Sequence, residues 1–176
     1  MIRSEVRRLI GDGESSGVEF KLDGIDNRDL AKEIVAFANL AGGVILLGVA
    51  DDGAIMGTDR DDLEEWVMET CRVKIDPPII PYFEWHRDLE DGKNVALIKI
   101  VPGPDKPYAR LHNNQRVYFT RVGSTSREAS REELVRMFQA SGQLRYGVRP
   151  VPGAAIGEPD MRRLKDYFAR VLLQPC

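Results

Sequence analysis

A chain of 176 residues is long enough for one domain of ordinary size with an appendage and too short for two large ones. Its 43% hydrophobic and 30% charged residues suit a folded core and exclude a disordered tail, a collagen-like repeat or a membrane protein. The net charge of −3 hides an uneven distribution: residues 1–98 carry 11 Lys and Arg against 21 Asp and Glu, whereas residues 99–149 carry 10 against 4. A polyanion would favour only the second stretch, which holds Lys106, Arg110, Arg116, Arg121, Arg127, Arg131 and Arg136.

Nothing approaches the run of roughly 18 apolar residues that a membrane span needs. The first ten residues are charged rather than signal-like, so the expectation is a cytoplasmic protein with no membrane partner. Cys71 and Cys176 form no CxxC pair and have no nearby histidine, which suggests neither a disulfide framework nor a zinc site.

Residues 3–10 suit a short helix stopped by Gly11-Asp12-Gly13. Val18, Phe20 and Leu22 alternate with Glu19 and Lys21 in the pattern of a half-buried strand. Asn27 can cap a helix over 28–41, with Leu30, Ile34, Phe37 and Ala38 at helical spacing and Gly42-Gly43 as its stop. The apolar run 44–50 reads as a central strand leading into the turn Asp51-Asp52-Gly53. A helix starting at Asp59 or Asp61 runs to about residue 74, where Pro77-Pro78 forbids continuation. Strands follow at 79–86, 94–101 and 115–122, and Ser130 with Glu133 makes a capping box for a helix over 131–140. Residues 153–159 read as a linker, and 160–173 as an amphipathic helix. The fold class is α/β (α+β), a mixed β-sheet with flanking helices.

Three carboxylates are candidates for convergence: Glu14 before the first strand, Glu19 on it, and Asp51 or Asp52 where the central strand turns. Hard cations such as Mg²⁺ or Mn²⁺ take oxygen ligands, and acids from separate elements around an open coordination position suit metal-assisted phosphodiester hydrolysis. Lys21, on the same strand face as Glu19, can stabilise a phosphorane-like transition state. Spacing alone equally allows a hairpin turn, a surface ion pair and a solvated loop.

The run from Glu14 through Val18-Glu19-Phe20-Lys21 resembles the Schlafen family's AlbA-type DNA-binding domain. So do Phe37-Ala-Asn39-Leu-Ala-Gly42-Gly43, Gly48-Val-Ala-Asp51-Asp52-Gly53, Pro107-Tyr108 and Tyr118-Phe-Thr-Arg121-Val-Gly123-Ser-Thr-Ser-Arg127. The resemblance implies a Schlafen AlbA-type domain over 1–142, with 143–176 a linker and C-terminal helix opening a further region of a larger protein. Its implied function is nucleic-acid binding in a bacterial transcriptional regulator, with DNA or RNA as partner. The candidate backbone contacts are Lys106, Arg116, Arg121, Ser124 and Arg127, which offer donors to phosphate oxygens.

Animal Schlafen cores cleave RNA with a metal held by two glutamates five residues apart and a later aspartate. By that resemblance Glu14, Glu19 and Asp51 would hold Mg²⁺ or Mn²⁺, with Lys21 assisting, in an endoribonuclease. The animal core joins two such lobes, so a homodimer is the form in which one lobe completes a groove. A dimerisation or interaction module is a third expectation.

Overall fold

The apolar run Gly43–Leu47 is the central strand of the first of two sheets, and its alternation serves two cores at once. Ile45 and Leu47 face one buried cluster and Val44 and Leu46 the other. The computed structural model describes residues 1–113 and 115–142, together with Arg162, Arg163 and Lys165. The chain divides into two units, Met1–Leu144 and Arg145–Cys176. In the second, Arg162, Arg163 and Lys165 are helical, and the rest of the expected linker and terminal helix lies outside the described residues.

In the first unit the elements run α1 (Arg3–Asp12), β1 (Val18–Lys21), α2 (Asn27–Asn39), β2 (Gly43–Leu47), α3 (Leu63–Lys74) and β3 (Ile75–Asp76). They continue with β4 (Tyr82–Glu90), β5 (Lys93–Ile100), β6 (Ala109–His112), β7 (Gln115–Val122), β8 (Thr125–Glu128) and α4 (Arg131–Ala140). The first sheet has the order β1-β2-β5-β4, parallel between β1 and β2 and antiparallel elsewhere. The second, β3-β6-β7-β8, is wholly antiparallel. The expected mixed sheet is therefore one of two, and β3, β6 and β8, at two to four residues each, are too short to show a period.

Helix α2 lies between the sheets, with Ile45, Leu47, Ile98 and Ile100 of the first, Phe119 of the second and Tyr108 just ahead of β6 in one cluster around it. Nine of its thirteen residues are buried, well beyond the single stripe of an amphipathic surface helix. Each large side chain buried there, such as Leu30, Ile34 or Phe37, contributes about 1.5–3 kcal/mol. Its cap is Asp26 rather than Asn27: one Asp26 oxygen accepts from the backbone amides of Arg28 and Asp29 at 2.8 and 2.9 Å. The helix ends as expected. Gly42, at φ +79°, returns its N–H to the Phe37 carbonyl, and a Cβ at Gly43 would stand 2.2 Å from the Phe37 ring.

Asn39 ties the helix to the second sheet. Its Nδ2 donates to the carbonyls of Tyr108 and Phe119, each at 2.9 Å, and its Oδ1 accepts from the Tyr108 amide at 2.7 Å. On the other side of the first sheet α1 covers Phe20, Leu46 and Leu97 with Val6, Leu9 and Ile10. The capping box at Ser130 and Glu133 is present, opening α4.

Candidate functional site

Alternation along β7 decides the fate of its charged residues. Val117, Phe119 and Arg121 face α2, so the Arg121 side chain enters the interior and is wholly buried. Its guanidinium lies 4.2 Å from the centre of the Phe37 ring. Nη1 donates to Glu19 Oε2 at 2.8 Å and to Glu33 Oε2 at 3.2 Å, while Nη2 donates to the carbonyls of Ser15 and Ser124 at 2.9 and 3.0 Å. Ser126 Oγ completes the set, donating to Glu33 Oε2 at 2.5 Å. One cation thus fastens β1, α2 and the β7–β8 hairpin together.

The network opens onto a polar pocket of about 350 Å³. Glu14, Glu19, Lys21 and Asp51 all line it, beside Asp29, Lys32 and Glu33 of α2 and Ser124, Thr125 and Ser126 of the hairpin. The four residues expected to act together are therefore brought to one place. Lys21 Nζ donates to Glu19 Oε1 at 2.5 Å and to the Phe20 carbonyl at 2.8 Å. Burial works against its ammonium, but the hydrogen bond and charge of Glu19, with Glu33 and Glu14 behind, outweigh this and hold its pKa above the usual lysine value. Lys32 Nζ stands 3.1 Å from Glu33 Oε1.

Glu14 and Glu19 already accept hydrogen bonds within the protein. Both Glu19 oxygens are occupied by Lys21 and Arg121, and Glu14 Oε1 accepts from the Phe20 amide at 2.9 Å. Among the described residues no group of three or more His, Cys, Asp or Glu is arranged to hold a metal ion. The expected trio lines one pocket, and of the three only Glu19 is already taken up by an internal ammonium and an internal guanidinium.

Among the described residues the basic stretch does not gather into one concavity. Arg121 is corrected from a phosphate contact to an internal strut. Ser124 gives its carbonyl to that strut, and Lys106 donates to the Leu40 carbonyl. Arg116, Tyr118 and Thr120 occupy the face of β7 turned away from α2, and Arg127 stands opposite Thr120 on β8. These two arginines are exposed and lie in surface ion pairs, Arg116 with Asp76 at 2.5 Å and Arg127 with Glu133 at 2.8 Å. Helix α4 packs on the same face, Phe138 edge-on to Tyr118 at 6.1 Å between ring centres, and adds exposed Arg131 and Arg136.

Reading the sequence missed Asp29, Lys32 and Glu33 as pocket residues. Glu33 carried a signal: it falls three residues after Leu30 and four before Phe37, on the apolar stripe of the helix, where an unpaired carboxylate is costly.

A central helix clamped between a mixed and an antiparallel sheet, locked by a buried ion network beside a polar pocket, defines an α+β domain. The Schlafen, AlbA_2 family matches residues 14–130, and the chain belongs to that family. Two solved structures share the fold. The DIP2311 protein from Corynebacterium diphtheriae is 23% identical with a TM-score of 0.59; the match covers 78% of this chain and 32% of that one, so the chain spans about a third of its length. The N-terminal domain of a RecG-related protein from Nitrosomonas europaea, described in connection with an ATP-dependent DNA helicase, is 19% identical with a TM-score of 0.52, over 74% of this chain and 94% of that domain. No curated protein matches the chain. No helix among the described residues is long and apolar enough to cross a membrane.

Proposed function

We propose that the chain is a nucleic-acid-binding domain of a bacterial transcriptional regulator, holding DNA or RNA by its phosphates on the outward face of β7, β8 and α4. The observation that carries this is the exposure of Arg116 and Arg127 on that one face, in surface ion pairs that a phosphate can displace at little cost. Membership of the AlbA_2 family and the fold shared with a helicase-related domain support it. The polar pocket is the poorer surface for a polyanion, because five carboxylates line it against Lys21 and Lys32.

Anisotropy with labelled single- and double-stranded oligonucleotides tests the proposal. With about four to six phosphate contacts, affinity falls about two to three orders of magnitude between 50 and 200 mM salt. Arg116→Glu with Arg127→Glu lowers affinity about tenfold or more in a protein whose circular dichroism is unchanged. Unaltered affinity in that variant removes the face from consideration. A parallel incubation with labelled RNA and Mn²⁺ leaves the strand intact; cleavage that disappears in Glu14→Gln and Asp51→Asn would make the pocket an endoribonuclease site instead.

A further inference from the structure

A second pocket, of about 210 Å³, lies between the segment Thr58–Asp61 and the strands β4 and β5. Its chemistry is unlike that of the polar pocket. Two arginines line it, and each guanidinium is placed over an indole ring, Arg60 at 4.4 Å from the centre of Trp66 and Arg87 at 5.2 Å from that of Trp85. Trp85 itself is half-buried in the lining, so a flat apolar surface adjoins the two cations.

Asp59 and Asp61 are exposed at the same pocket, and Asn94 Nδ2 lies 3.4 Å from Asp59 Oδ1. Thr58 is 3% exposed, and its hydroxyl has no hydrogen-bond partner, although its amide is satisfied by the Asn94 carbonyl at 2.9 Å. Leaving a buried hydroxyl unpaired is costly, which is the mark of a group that a ligand or a water completes.

We infer that this pocket binds a guanine nucleotide. A complementary ligand must present adjacent acceptors to a guanidinium, adjacent donors to a carboxylate and a flat face to an indole. Among the bases guanine alone does all three, with O6 and N7 for arginine, N1–H and N2–H₂ for aspartate, and its ring for Trp85. The buried Thr58 hydroxyl is then a donor to the base within the pocket, and the exposed Arg87 is a donor for the phosphate outside it. The volume falls below the roughly 300–1,000 Å³ of sites for drug-sized ligands and suits a single base. The site stands independently of the proposed phosphate-binding face, since it shares no residue with it.

Calorimetric titration of the full chain with the four nucleoside monophosphates tests the inference. Guanosine monophosphate binds, and the adenosine, cytidine and uridine monophosphates bind about tenfold more weakly or not at all. Asp59→Asn with Asp61→Asn removes the preference, and Arg87→Glu abolishes binding, in proteins with unaltered circular dichroism; all three residues are exposed and none is part of the core. Equal affinity for the four nucleotides, no binding of guanosine monophosphate at millimolar concentration, or binding of a free α-amino acid in its place would each overturn the inference. Displacement of bound guanosine monophosphate by a short strand containing one guanine identifies a strand base as the source, and its persistence identifies the free nucleotide; either keeps the site.

Discussion

The two faces of β7 carry the same residue type and use it in opposite ways. On the inward face Arg121 is sealed among Glu19, Glu33 and Ser126, while on the outward face Arg116 is exposed and pairs with Asp76 as Arg127 pairs with Glu133. The difference teaches that charge count along a segment does not measure what a segment offers to a polyanion. A buried guanidinium is retained only with its carboxylates, and its removal takes from buried Glu19 and Glu33 the one cation they share, leaving each with a single lysine. An exposed one exchanges partners freely, so the outward face is available for binding and the inward face is architecture.

Removing the inward cation is the sharpest way to test that contrast. Arg121→Met costs about 3–5 kcal/mol, or folding altogether, in chemical denaturation. Replacing Glu19, Glu33 and Arg121 together by apolar residues recovers part of the loss, because the three most buried charges leave together while Lys21 and Lys32 keep access to water. If the single variant matched wild type, the inward network would be no strut.

Next in size is Asn39→Ala, which leaves two carbonyls and one amide between α2 and the second sheet without partners and costs about 3 kcal/mol in the same measurement. Smaller still is the pH response of the outward pair. The hydrogen bond from Arg127, helped by the Ser130 amide, holds the Glu133 carboxyl at about 2, below its ordinary 4.5. A depressed folded-state pKa gives stability that is complete above the unfolded value and lost as pH falls toward the folded one. The melting temperature therefore drops between pH 4.5 and about 2, and Arg127→Met flattens that part of the profile. At pH 7 the same variant shifts the denaturation midpoint least of all, as a surface pair should.

Much of the frame was legible from residue pattern. The strand Val18–Lys21, the central helix and its glycine stop, and the Ser130 cap each follow from a local rule that operates within a few residues. The position of Arg121 was legible too, since it shares parity with Val117 and Phe119, but a count of positive charge along 99–149 obscured it. The short strands β3, β6 and β8 were not, because two to four residues form a ladder only when a longer neighbour supplies the partner groups.

What the sequence determined by itself was the helices and long strands of the first unit, the α+β class and the family likeness, because propensity, alternation and caps are local. The tertiary structure alone decided that α2 is buried between two sheets rather than lying on one, that Glu19 and Glu33 meet Arg121 from 102 and 88 residues away, and that these two pocket acids are held by internal cations. Those outcomes depend on which groups are dehydrated together, and desolvation is a property of packed neighbours distant in the chain.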